Sequence, residues 1–177
     1  APIPVPFDDV QLRIRRTAPV RRPVALALGS NLGDSATVLQ AAVDDLAALP
    51  GLRLGAVSAV YRTAPVGGPE QPDYLNAVVV GETTLDPLAL LTATQGVERA
   101  HHRVRDVRWG PRTLDVDVLS LGDGVVDEPT LQVPHPRAHE RAFVLVPWTD
   151  ADPAAVIPGR GPVADLVAGV DRTGVTR

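Results

Sequence analysis

Apolar and polar positions change period several times along the chain, and each change marks an element. PVALALGS (23–30) is a short unbroken apolar run ending near Gly29, which predicts a buried strand. Asp34 is placed to cap a helix running to about Leu49, with Leu39, Ala42, Val43 and Leu46 on one face and Pro50-Gly51 as its stop. LRLGAVSAVYRT (52–63) predicts a second strand, and YLNAVVVGET (74–83) a third, after a loop holding Gly67, Gly68, Pro69 and Pro72. Asp86-Pro87 pairs a capping side chain with proline at the first helical position, opening a helix over 87–101 that closes at His101-His102. A strand over 113–121, a short hairpin near Val125 and a final helix over 163–168 complete the pattern. The order β-α-β-β-α-β predicts an α+β fold: a ferredoxin-like sandwich with helices on one face of an antiparallel sheet, and a short C-terminal extension.

Residues 1–22 are rich first in proline and then in arginine, which predicts a flexible arm before a single domain over 23–177. A chain of 177 residues, 45% hydrophobic and 21% charged, suits one core. The net charge of -4 gives no general attraction to nucleic acid or to anionic membrane, so a phosphate partner needs a local cationic cluster. All 17 cations are arginine. The lack of lysine excludes a Schiff base and a P-loop lysine, and leaves side chains suited to bidentate phosphate contacts. With no cysteine there is no disulfide, thiolate catalyst or cysteine zinc site. No apolar run approaches the length of a membrane span, and APIPVPFDDV holds too much proline and acid for a signal peptide, so a soluble, cytoplasmic protein is expected, with a monomer as the expected state.

Candidate chemistry gathers at RWGPRTLDVDVL (108–119). In a strand, Leu114, Val116 and Val118 share one face while Asp115 and Asp117 share the other with Leu119, the two carboxylates roughly 7 Å apart at the Cα atoms. Arg103, Arg105, Arg108 and Arg112 lead into them. A polyanion with a bound divalent metal satisfies both sets, arginine taking outer phosphate oxygens and carboxylate holding the ion. A salt bridge from Arg112 to the aspartates is the structural alternative. In YRTAPVGGPEQPDYLNA, Thr63, Tyr74 and Asn76 fall at adjacent strand ends and offer stacking and amide recognition for a flat heterocycle. GSNLGD (29–34) lacks the lysine of a P-loop and reads as a tight turn with a cap, while His135 and His139, four apart, lack a third zinc ligand.

Taken together, GSNLGD, YRTAPVGGPEQPDYLNAVV, RWGPRTLDVDVL and VPHPRAHERAFVLVPW, in this order, resemble the 6-hydroxymethyl-7,8-dihydropterin pyrophosphokinases of folate biosynthesis. The likeness covers about residues 24–150, with RWGPRTLDxD and QPDYLNA its most specific parts. It implies transfer of pyrophosphate from ATP to the pterin hydroxymethyl group, with release of AMP and with two Mg²⁺ ions held by Asp115 and Asp117. Arg103 and Arg112 would be the principal triphosphate arginines, and Asp117 is a candidate acceptor of the hydroxymethyl proton. Further ATP contacts would come from Gln95, Glu98, Arg105, Arg108, Val118, His135 and Arg141. The resemblance assigns the pterin to Tyr74 and Phe143 as stacking rings, Asn76 at its edge, Thr63, Ala64 and Val66 through backbone, and Trp109 folding over the site. Two departures stand out. Asp106-Val107 replaces a segment where many relatives carry lysine, in a loop one residue shorter, and Pro129-Thr130 lies where an arginine is common. A non-catalytic nucleotide- or RNA-binding module of the same fold is the alternative, disfavoured by the negative charge and the missing RNP aromatics.

Overall fold

The computed structural model describes residues 12–14, 17–31, 34–64, 70–101 and 114–177. In chain order it contains β1 (Arg22–Ser30), α1 (Ser35–Ala47), β2 (Leu52–Val57), β3 (Tyr61–Thr63), β4 (Tyr74–Thr83), α2 (Pro87–His101) and β5 (Asp115–Leu121). Then come β6 (Val126–Glu128), β7 (Leu131–Val133), a 3₁₀ turn (Ala138–Glu140), α3 (Ala142–Ala151), β8 (Val156–Ile157), β9 (Gly161–Pro162), α4 (Val163–Ala168) and β10 (Val175–Thr176). Strand β1 is central, antiparallel to β4 on one side and to β5 on the other. Both β2 and β3 pair with β4, and β10 adds to the far side of β3.

The helix starts follow their local chemistry. Asp34 accepts the Thr37 N–H at 3.3 Å and the Thr37 hydroxyl at 2.7 Å, and Asp86 accepts the Ala89 N–H at 2.8 Å, so each cap satisfies a donor that the first helical turn leaves unpaired. At the end of α2, His101 Nε2 lies 2.9 Å from Asp45 Oδ2 and joins it to α1. Strand β1 starts at Arg22, whose guanidinium donates to the Leu85 carbonyl at 3.2 Å.

Helices lie on both faces of the sheet, which corrects the one-sided sandwich expected from the element order. Leu26, Leu28 and Val116 pack with Leu39, Leu46, Leu90 and Val97 of α1 and α2. On the other face Ala25, Val78 and Leu119 pack with Val144, Leu145 and Trp148 of α3 and Val163 of α4. The unbroken apolar run of β1 is the cause, since both of its faces are covered and neither needs polar residues. The segment after the β6–β7 hairpin, with α3 and α4, therefore forms a full second layer, larger than a short extension.

The expected strand over 52–63 is two strands. Ser58 N–H pairs with the Val78 carbonyl, but the Ser58 hydroxyl then accepts the Val78 N–H at 2.9 Å and donates to Ala59 O at 2.7 Å, interrupting the ladder. Strand β2 also shifts register between Leu54 and Ala56. Opposite this bulge the backbones approach so closely that a Cβ on Gly81 would lie 2.1 Å from the Arg53 carbonyl oxygen.

Candidate active site

Sheet register assembles the first cleft. Tyr61, Asn76, Gly29 and Asp115 are consecutive cross-strand partners, and Asp117 stands opposite Ala27 in β1. Asn76 and Asp115 are thus two strand spacings apart with only Gly29 between them. A Cβ at Gly29 would come within 3.3 Å of Asn76 Oδ1, so the missing side chain leaves the floor open and the amide unobstructed. Thr63 pairs with Tyr74, and Asn76 Nδ2 donates to Thr63 Oγ1 at 2.8 Å. Helix α3 covers this end of the sheet, its preceding residue Arg141 stacked over the Phe143 ring with the guanidinium carbon 5.6 Å from the centroid. The cleft has a volume of about 620 Å³ and is lined by Thr63, Ala64, Tyr74, Asn76, Asp115, Asp117, Arg137, Arg141 and Phe143 together with β1.

A second cleft of about 660 Å³ opens on the opposite face of β5, between α2 and the β6–β7 hairpin. Gln95, Glu98, Val116, Val118, Pro129, Thr130 and His135 line it, and Asp117 lines it too. Among the described residues β5 is the outermost strand on this side of the sheet, and its edge is sealed by non-strand groups. The Val116 N–H donates to Glu98 Oε1 at 3.1 Å, and the His135 N–H donates to the Leu119 carbonyl at 2.9 Å. His135 Nδ1 accepts the Arg137 N–H at 3.2 Å, which leaves the proton of the neutral ring on Nε2. Burial holds the imidazole below its ordinary pKa, Arg141 and Arg137 act in the same direction, and Asp117 opposes them.

A family model for 7,8-dihydro-6-hydroxymethylpterin-pyrophosphokinase (HPPK) matches residues 25–153. The chain belongs to this family. It is 44% identical over 154 residues to the 2-amino-4-hydroxy-6-hydroxymethyldihydropteridine pyrophosphokinase of Pseudomonas aeruginosa, covering 87% of this chain and 95% of the relative. It is 46% identical over 152 residues to that of Methylorubrum extorquens, covering 86% and 96%. Among solved structures, the wild-type HPPK-DHPS of Plasmodium falciparum with pterin and p-hydroxybenzoate aligns with a TM-score of 0.68 at 14% identity, over 86% of this chain and 44% of that one. That likeness concerns the fold, and this chain spans less than half of the Plasmodium protein.

The HPPK fold brings most of the candidates selected from sequence to one of these two clefts. Thr63, Ala64, Tyr74, Asn76, Asp115, Asp117, Arg141 and Phe143 line the first, and Gln95, Glu98, Asp117, Val118 and His135 the second. Arg141, selected as a nucleotide contact, faces the cleft of the two rings. Val66, Arg103, Arg105, Arg108, Trp109 and Arg112 lie outside the described residues. Sequence reasoning missed Gly29, Arg137 and Asn31. Asn31 is 1% exposed and its Nδ2 donates to Gln71 Oε1 at 3.1 Å, tying the turn after β1 to the segment before β4. GSNLGD held Gly29 and Asn31 in plain view, but a turn reading gave neither a partner.

Proposed function

We propose that this chain transfers the β,γ-pyrophosphoryl group of ATP to the hydroxymethyl oxygen of 6-hydroxymethyl-7,8-dihydropterin and releases AMP. The observation that carries the proposal is Asp117 as a common wall of two clefts, one suited to a flat heterocycle and the other bordered by polar groups. A two-substrate transfer needs the acceptor oxygen and the donor phosphorus to meet, and a shared wall is where they would do so. The strand order, read with β2 and β3 as one interrupted strand, supports a ferredoxin-like arrangement in a single domain that begins with β1 at Arg22, one residue earlier than the sequence boundary, with the residues before it proposed as an arm.

In this reading the pterin lies between Tyr74 and Phe143 with its edge at the Asn76 amide, next to backbone of Thr63, Ala64 and Val66. ATP lies against Gln95, Glu98, Val118 and the Nε2–H of His135, with Arg103, Arg105, Arg108, Arg112 and Arg141 supplying positive charge and Trp109 covering the site. The hydroxymethyl oxygen forms a bond to the β-phosphorus, the bond from that phosphorus to the bridging oxygen of AMP breaks, and the hydroxyl proton leaves toward Asp117. Asp115 and Asp117 are hard oxygen donors on one face of a strand. Among the described residues no third His, Asp or Glu completes a cage, a set that fits Mg²⁺ shared with substrate phosphates better than an ion held by protein alone. Two Mg²⁺ ions bound there would neutralise triphosphate charge during in-line attack.

No helix among the described residues is long and apolar enough to cross a membrane, consistent with a cytoplasmic enzyme acting on small molecules. The test is AMP formation from ATP, hydroxymethyldihydropterin and Mg²⁺. Activity that needs all three supports the proposal. Binding of ATP with no AMP formed under the same conditions defeats it in favour of a nucleotide-binding module.

A further inference from the structure

Strand β3 has three residues and carries Thr63, whose hydroxyl accepts the Asn76 amide N–H at 2.8 Å. Asn76 is 8% exposed, so turning its amide away from Thr63 would leave a buried polar group unpaired. The aim of that amide into the first cleft therefore depends on where Thr63 sits. So short a strand, paired with β4 alone, would be prone to local opening.

Two further attachments hold it. At its start, the Asp150 carboxylate at the end of α3 accepts the Ala59 N–H at 2.7 Å and the Tyr61 hydroxyl at 3.2 Å. At its other end β10 pairs with it, Val175 opposite Thr63 and Thr176 opposite Arg62. A built turn delivers β10 to this place. Asp171 accepts the Thr173 N–H at 2.9 Å, the Val175 N–H returns to the Arg172 carbonyl at 3.1 Å, and Gly174 has φ of 83°, a conformation that favours glycine.

We infer that β10 is a positioning element of the heterocycle cleft: by pairing with Thr63 it fixes the hydroxyl that orients the Asn76 amide, although no β10 residue lines the cleft. The ligand named here, the pterin, rests on the function proposed above. The orientation of the amide does not.

The experiment compares the full chain, a variant lacking residues 174–177, and Thr63→Val and Thr63→Ser. In the ligand-free proteins the Asn76 side-chain amide resonance and hydrogen exchange across β3 are measured. Hydroxymethyldihydropterin and a non-hydrolysable ATP analogue with Mg²⁺ are then titrated separately. Removing 174–177 is expected to shift the Asn76 resonance toward its position in Thr63→Val and to weaken pterin binding about tenfold, on the scale of one hydrogen bond to a buried polar group. Affinity for the ATP analogue is expected to stay within about twofold, and Thr63→Ser to retain the parent resonance. An unmoved Asn76 resonance overturns the inference, as does equal loss of both ligands in step with the folded fraction, which marks general destabilisation. If the full chain binds no pterin, the proposed function fails and the ligand half of the inference with it, while the resonance still decides whether β10 sets the amide.

Discussion

The cleft around Asn76 and the cleft around His135 meet at Asp117, yet they are assembled by different means. The first is largely a product of strand register, with Thr63, Tyr74, Asn76, Gly29, Asp115 and Asp117 all placed by pairing within one sheet. The second is drawn from a helix, the outermost described strand and a hairpin, and its polar groups also close that strand's edge. A register-built site keeps its geometry as long as the sheet is intact. In the other, proposed ligand contact and closure of the strand edge fall on the same residues, and at Glu98 on the same side chain, so a mutation there is expected to change two quantities at once.

Asp117 is the position where this contrast should produce its largest effect. Asp117→Asn is expected to lower turnover at least about 10²-fold, the scale of one electrostatic stabiliser. Its side chain is exposed, so metal-free unfolding should be level or slightly improved. A destabilised variant with full activity per folded molecule would convert Asp117 from a shared functional wall into a structural ion-pair partner. Next in size, Phe143→Ala and Tyr74→Ala are expected to weaken pterin binding by about 1 to 3 kcal/mol, the range for stacking on an aromatic ring, with ATP affinity unchanged. Phe143 is 38% exposed, so its thermal shift should be small. A large shift with unchanged pterin affinity would assign the rings to packing.

Glu98 tests the second cleft for its double duty. Glu98→Ala leaves the Val116 N–H without its acceptor and is expected to cost about 1 to 3 kcal/mol in urea unfolding. Glu98→Gln keeps an acceptor and should recover most of that stability. If both variants unfold like the parent and differ only in ATP affinity, the edge-sealing role is wrong.

The smallest expected effect is at the margin of the register-built cleft. Burial raises the pKa of Tyr61 above its ordinary value of 10.0, and the neighbouring Asp150 adds to the rise, because both disfavour the phenolate. The stability this shift contributes is complete below pH 10 and is lost as pH rises from there through the folded-state value. Tyr61→Phe should flatten that alkaline loss, which pH titration of the melting temperature would reveal. An identical alkaline profile in the variant would remove Tyr61 as its source.

What could be read from the sequence follows the same division. Helix α2, strand β4 and helix α4 match their expected limits because a cap, an apolar run and glycine or proline punctuation agreed with tertiary packing. Helix α3 was not legible. AFVLVPWTDA is apolar on nearly every side and has Pro147 inside it, so it lacks both the helical stripe and the usual interior composition. It is helical because it is buried between the sheet and α4. Asp115 and Asp117 were legible because a period of two places them on one face without any knowledge of neighbours. Gly29 was not, since its function is a gap between residues 76 and 115, and gaps between strands exist only once register is known. The bond from Asn31 to Gln71 spans 40 residues and has no local signature.

Gly81 carries a consequence for how variation in this chain should be interpreted. Its backbone touches that of Arg53 where no side chain fits, and it lines neither of the two clefts. In a growth selection that reads only whether product is made, replacements at Gly81 would be eliminated as thoroughly as those at Asp117. Tolerance to substitution would then map two unrelated demands onto one scale, the contact of two backbones and the chemistry of a carboxylate. Dividing activity by the amount of soluble folded protein would separate them, with Gly81 variants scarce but competent and Asp117 variants abundant but inert.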